Sequence, residues 1–262
     1  KGAGANMFNH NIYLQYNDNM ILSGGIVFRN NIVTRASSHG IHGRPGGLFE
    51  NNFFGRNAVG LQMGYNGHPL KTGAKAHAIN NVITEGHGMI KGQDGCSYTP
   101  LCTTAVWGLV TAAHGEGEFL AQGNIVHSLS PYDTDQDVMD VLGVTDPETN
   151  ILTKYNRAYS SLGIGNTTSI DNIRWHWEST TEGDGPSYPN PGLTLGDYYS
   201  ALMQDTSLTE LKSTGFVDNS TATGSDNFDS FMNIVLNRNV GEWDERFSAD
   251  GINDYIRAGF GK

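Results

Sequence analysis

At 262 residues and 28.4 kDa the chain fits one large domain or two of ordinary size. Hydrophobic residues make up 37%, charged residues only 16%, and glycine fills 34 positions, a composition that can bury a core and argues against wholesale disorder. The formal net charge of −11 argues against a nucleic-acid partner, and no apolar run reaches the ~18–20 residues that span a bilayer, which argues against a membrane-integral protein.

The charge is unevenly placed. Residues 29–77 carry Arg29, Arg35, Arg44, Arg56, Lys71 and Lys75 against Glu50 alone, whereas residues 78–262 carry 9 Lys/Arg against 25 Asp/Glu. A cationic first third on an acidic chain draws an anionic ligand to one place. The chain opens at Lys1 inside patterned sequence, so it is expected to be a processed or truncated piece of a longer protein.

From the N-terminus onward the sequence is a series of short β-type runs punctuated by Gly and Asn: Asn11-Ile12-Tyr13-Leu14-Gln15, Gly25-Ile26-Val27-Phe28, Asn31-Ile32-Val33-Thr34 and Ala78-Ile79-Asn80-Asn81-Val82. An Asn-Asn-apolar step recurs at Asn30-Asn31-Ile32, Asn51-Asn52-Phe53 and Asn80-Asn81-Val82, with a weaker Gly123-Asn124-Ile125. The second asparagines are spaced by 21, 29 and 43 residues, which fits one turn, one turn with an insertion, and two turns of a repeat. A second series, Gly40-Ile41, Gly60-Leu61, Gly88-Met89 and Gly108-Leu109, is spaced by 20, 28 and 20. Each unit is too short for a strand-helix-strand crossover and shows no amphipathic helical stripe. Gly and Asn tolerate the left-handed conformation that tight corners require, and asparagines at one place in successive turns can stack their amides.

These asparagine-ladder repeats of 20 and 21 residues resemble the right-handed parallel β-helix superfamily, which includes pectate lyases, chondroitinase B-like and alginate lyases, polygalacturonases and phage tailspikes. The resemblance covers residues 8–130, extending to 178 through Asp171-Asn172-Ile173-Arg174-Trp175-His176-Trp177. It implies an all-β fold: a right-handed parallel β-helix, or single-stranded solenoid, over 1–178, followed by a loop and helical C-terminal extension over 179–262.

Strand alternation predicts which side chains meet. With Ile41, Leu61, Met89 and Leu109 inward, the preceding outward column is His39, Val59, His87, Trp107, and the following one is His42, Gln62, Ile90, Val110. Tyr13 and Gln15 of an earlier coil, Arg44 and Lys91 lie beside them. One wall is therefore expected to gather Tyr13, Gln15, His39, His42, Arg44, Gln62, His87, Lys91 and Trp107: an aromatic to stack on a sugar, amides for hydroxyls, cations for carboxylates. Arg44 suits a two-pronged grip on a carboxylate, and His42 or His39 suits proton transfer near neutral pH. A second column, Arg35, Arg56 and Glu85, is expected to form a structural ion ladder.

Further along, Cys96 and Cys102 form either a short disulfide, which would imply export, or two free thiols. Asp133, Asp135, Asp137 and Asp140 imitate a calcium loop but place Val138 and Val144 where such a loop carries its glycine and closing glutamate. Calcium is the one cofactor this pattern suggests, with a solvated acidic loop as the plainer expectation. His10, His68, His77, His114, His127 and His176 receive no role. Near the C-terminus Phe228, Phe231, Met232, Val235 and Leu236 mark one face of a helix, and Ser248 is placed to cap a last helix carrying Ile252, Tyr255 and Ile256 and ending at Gly259.

The expected function is that of a secreted or cell-surface lyase cleaving an anionic, uronate-containing polysaccharide by β-elimination. Arg44 would neutralise the carboxylate, His42 or His39 would act as base, and Tyr13, His87 or Lys91 as acid. A glycoside hydrolase of the same fold, which needs two carboxyl groups across the scissile bond, and a non-catalytic binding solenoid are the alternatives.

Overall fold

The computed structural model describes residues 9–15, 25–65, 70–84, 107–112, 116–128, 143–145, 152–154, 168–176 and 245–262. The chain divides into two compact units, Lys1–Ser187 and Tyr188–Lys262.

In the first unit the strands form three sheets. The first sheet holds β1 (Ile12–Leu14), β4 (His39–Gly43), β7 (Val59–Gly64), β10 (Trp107–Ala112) and β14 (Leu152–Lys154), with β13 (Gly143–Thr145) antiparallel at its edge. The second holds β2 (Val27–Arg29), β5 (Gly47–Glu50), β8 (Lys75–Ile79), β11 (Glu118–Gln122) and β15 (Thr168–Ile170). The third holds β3 (Ile32–Thr34), β6 (Phe53–Gly55), β9 (Val82–Thr84), β12 (Ile125–Ser128) and β16 (Ile173–His176). Apart from β13, the chain visits the sheets in strict rotation, and every neighbouring pair is parallel and one circuit apart. This topology fits a parallel β-helix.

The Asn-Asn step divides its labour. The first residue turns the corner from the second sheet to the third: Asn30, Asn51, Asn80, Gly123 and Asp171 all have φ between 54° and 63°, where small polar side chains and glycine are tolerated. The second residue builds the ladder. Asn31 donates to Asn52 Oδ1 at 3.3 Å, Asn52 to Asn81 at 3.0 Å, Asn81 to Asn124 at 2.9 Å and Asn124 to Asn172 at 2.8 Å. Oδ1 of Asn52, Asn81, Asn124 and Asn172 also accepts the backbone N–H of the asparagine before it, and Nδ2 of these four donates to a carbonyl, Phe28, Phe49, Ala78 and Ala121 in turn.

Two spacings correct the sequence expectation. Asn81 bonds directly to Asn124, so the interval of 43 residues is one circuit with a long insertion, not two circuits. Leu61 likewise pairs with Leu109, so Met89 does not stand between them. The intervening residues 85–106 lie outside the described residues. An insertion about as long as a turn mimics a turn when only spacing is counted.

The core is filled by Ile41, Phe49, Phe54, Leu61, Met63, Leu109 and Phe119, all buried. Gly60 of the second series has no room for a side chain: a Cβ there would stand 2.6 Å from the Gly108 carbonyl and 2.5 Å from Ile83 Cγ2. The series records close backbone stacking, with the aliphatic residue beside it pointing inward.

In the second unit a 3₁₀ turn (Glu245–Phe247) leads into helix α1 (Ala249–Gly259). Ser248 caps it as expected, its Oγ accepting the Gly251 N–H at 3.1 Å, and Ile252 and Ile256 are buried. Burial, then Asp254 and Glu245, raises the Asp250 carboxyl above 3.8. The expected helical face at Phe228–Leu236 lies outside the described residues, and no helix among the described residues is long and apolar enough to cross a membrane.

Replacing Asn52 tests the ladder. Asn52→Ala orphans the Asn31 N–H and the Phe28 carbonyl, and unmet buried groups cost about 1–3 kcal/mol each, so the denaturation midpoint should fall sharply. Asn52→Asp keeps the shape but sets an acceptor against Phe28 O and Asn81 Oδ1, and should be at least as damaging. A loss below ~1 kcal/mol in both variants would contradict the ladder's role.

Candidate functional site

The first sheet carries the site. Ile12, Ile41 and Leu61 stand side by side, as do Tyr13, His42 and Gln62. Ile41 and Leu61 fill the core, so strand alternation sends the Tyr13-His42-Gln62 row to the opposite face. Ahead of β1, the Asn11 N–H donates to His39 O at 3.0 Å and Asn11 Nδ2 donates to Thr34 O at 2.7 Å. These two bonds hold the neighbouring His10 over His39.

The result is a cluster of rings. His10 stacks on His39 with centroids 4.5 Å apart, His39 on His42 at 5.0 Å, and His10 on His42 at 5.5 Å. Tyr13 meets His42 edge-on at 5.5 Å and Tyr65 meets it at 6.0 Å. The Arg44 guanidinium lies over Tyr65 at 3.7 Å and over Tyr13 at 4.8 Å, an arrangement that attracts a cation to the negative face of each ring. Arg44 Nε is buried and makes no hydrogen bond among the described residues.

His39 is fixed on both sides. Its Nε2 lies 2.9 Å from Gln62 Oε1 and its Nδ1 lies 2.7 Å from Ser38 Oγ. With Oε1 as acceptor, Nε2 carries the proton, and in the neutral ring Nδ1 accepts from the serine hydroxyl. Both of its ring nitrogens are engaged by neighbouring side chains, which fixes the orientation of His39.

Of the expected wall, Tyr13, His39, His42, Arg44 and Gln62 come together. The wall is not an open groove, however: His42 is 5% exposed and Gln62 3%, while Tyr13 is 41% exposed. Packed rings occupy the space that alternation alone leaves open. Gln15 is exposed just beyond β1. Trp107 begins β10 opposite Val59, in the predicted column, and its side chain lies outside the described residues, as do His87, Lys91, Glu85, Cys96, Cys102, Asp133, Asp135, Asp137 and Asp140. Arg35 and Arg56 occupy matching left-handed corners, with φ of 61° and 54°.

Sequence reasoning missed His10, Ser38 and Tyr65. His10 precedes the Asn11 coil that was already aligned with the wall, so its position was there to be read. Among the described residues of the first unit the carboxylates lie elsewhere: Glu50 pairs with Arg29 at 2.5 Å, Glu118 with His77 at 2.7 Å, Glu116 bonds Thr72, and Asp171 turns a corner. A separate depression of about 360 Å³ on the second sheet is lined by Ile26, Val27, Gly47, Leu48, Lys75 and His77.

Comparison with known proteins returned nothing: no family model matches the chain, and no match was found among curated proteins or among solved structures.

The tautomer of His39 is directly measurable. Long-range ¹⁵N–¹H correlation should show protonated Nε2 and bare Nδ1, and the reverse pattern would overturn the assignment. Gln62→Ala should cost about 1 kcal/mol of stability by removing the acceptor of that half-buried N–H.

Proposed function

We propose that the chain belongs to the right-handed parallel β-helix superfamily and is a lyase that cleaves a uronate-containing polysaccharide by β-elimination. The rotation through three parallel sheets and the continuous asparagine ladder support the fold assignment. One observation carries the chemistry: an imidazole, a phenol and a guanidinium converge at His42, Tyr13 and Arg44, on a wall with no carboxylate among the described residues.

Beta-elimination needs those three groups. Arg44 grips the uronate carboxylate and stabilises the negative charge that builds on it as the adjacent C–H is broken. His42 takes the proton, the carbon–hydrogen electron pair becomes the new carbon–carbon double bond, and the bond to the leaving oxygen breaks. Tyr13, at the exposed edge of the cluster, delivers a proton to that oxygen. His39, tied to Ser38 and Gln62, is assigned the task of holding His42 in place by stacking. Gln15 and Trp107 are assigned to sugar contacts beyond the reacting unit. A hydrolase would require two carboxyl groups about 5–9.5 Å apart, and the described wall offers none. The reading carries with it a secreted or cell-surface location and an anionic polysaccharide partner.

The experiment is a panel of anionic and neutral polysaccharides read for both ultraviolet absorbance and new reducing ends. Wild type should give conjugated, unsaturated uronates from an anionic polymer. His42→Ala should lower turnover ~10²–10⁴-fold, the usual contribution of a general base, while the circular dichroism spectrum is kept. Arg44→Lys should also fail, because an ammonium cannot form the planar two-pronged grip. Reducing ends without absorbance would mean hydrolysis, and binding without cleavage would mean a non-catalytic module.

A further inference from the structure

We propose that His10, His39 and His42 form a binding site for a divalent ion of the zinc class, and that an ion bound there shuts off proton transfer by His42. The second clause rests on the lyase reading; the first does not.

The donor set is the starting point. One ring nitrogen from each histidine lies within 4.8 Å of one from each of the others. Three imidazoles suit zinc, cobalt, nickel or copper, whereas calcium and magnesium favour carboxylate oxygens, which this wall lacks among the described residues. Three protein nitrogens with a fourth position left over is the coordination of an open tetrahedral zinc site.

The spacing fits as well. An ion with three imidazoles at ~2.0–2.1 Å in tetrahedral array places the ring centroids about 5 Å apart. The observed separations are 4.5, 5.0 and 5.5 Å. The rings are nearly parallel, at 14° to 28° to one another, so loading requires rotation about their side-chain bonds without displacement of the strands. That rotation brings nitrogens that lie within 4.8 Å of one another to the ~3.3 Å edge of such a tetrahedron.

Gln62 supplies the outer support. A ligating histidine ordinarily donates its other N–H to a fixed acceptor, which sets the tautomer and aims the lone pair. Gln62 Oε1 does this for His39 Nε2. Nδ1 is then the ligand atom, and in the ion-free geometry it takes the Ser38 hydroxyl instead. The two histidines contributed by β4 and the one ahead of β1 come from successive circuits, so the site exists only when the coils are in register. Arg44, held against Tyr13 and Tyr65, leaves the neighbourhood cationic, and the open position therefore favours an anionic ligand.

The test begins with untagged protein stripped by a chelator and titrated with Zn(II), and with Co(II) as a spectroscopic probe. Wild type should bind one equivalent, and Co(II) should show the intense visible absorption of a tetrahedral site. His10→Ala should weaken binding at least ~10²-fold and Gln62→Ala ~10–100-fold, the usual effect of losing an outer partner. Circular dichroism of each variant establishes that it is folded. Absence of one-to-one binding in wild type, or equal affinity in folded His10→Ala, overturns the site. In the cleavage assay Zn(II) should inhibit wild type, a chelator should restore it, and His10→Ala should resist inhibition. Cleavage that continues with Zn(II) saturating the site would overturn His42 as the base and leave the ion site intact.

Discussion

A buried primary amide that satisfies four hydrogen-bond valences at once is the constraint on which the first unit depends. Asn52, Asn81 and Asn124 each accept two bonds at Oδ1 or pass them along the column, and each donates twice from Nδ2. A parallel coil must bury backbone groups at its corners, where the strand ladder is interrupted, and unmet groups there are costly. Asparagine solves this because it has both donor and acceptor on one short, rigid arm. Aspartate has the shape without the donor, and glutamine has the groups on a longer arm that fixes neither distance nor direction.

That column also sets the register of the site. A strand displaced by one residue sends every side chain to the other face, so His42 would exchange places with Ile41 or Gly43. The ladder prevents this from the far side of the coil, because each asparagine indexes one circuit against the next. Gly40 and Gly60 reinforce it, since a Cβ at either would stand 2.6 Å from the carbonyl oxygen of the glycine in the next circuit. The histidine cluster is thus positioned by groups that never touch it, and its alignment across circuits is a property of the fold and not of local loops.

The parts legible in the sequence are those governed by repeat chemistry. Asn31, Asn52 and Asn81 announced the ladder, Ile41 over Leu61 announced the inward column, and these two placed Tyr13, His42 and Gln62 in one row. What failed was counting: 43 residues resembled two circuits of 21, so Met89 was given a rung that Leu109 occupies directly. Spacing measures chain length, and an insertion and a turn of equal length are the same to it. His10 was passed over because it precedes the strand, and only the bonds from Asn11 to His39 and Thr34 show that the chain there is already held against the next circuit. Burial of His42 was not legible either, since alternation tells which face a residue takes and not what covers it.

The charge of the whole chain and the charge of the wall have opposite signs, and the distance scale decides which one a polyanion feels. At physiological ionic strength the screening length is about 8 Å, so a polyanion at the first-sheet wall feels mainly the charges within that distance. Far from the protein the net −11 repels a polyanion weakly; at contact, Arg44 and the surrounding imidazoles are the near charges and dipoles. The guanidinium there is partly desolvated, with a buried Nε that makes no hydrogen bond among the described residues and two aromatic faces against it. A carboxylate arriving at Arg44 therefore gains a charge-assisted bond that the described residues of the wall do not otherwise provide. On the proposed reading, selectivity for an anion is set within a few ångströms of one arginine, whatever the net charge of the rest of the chain.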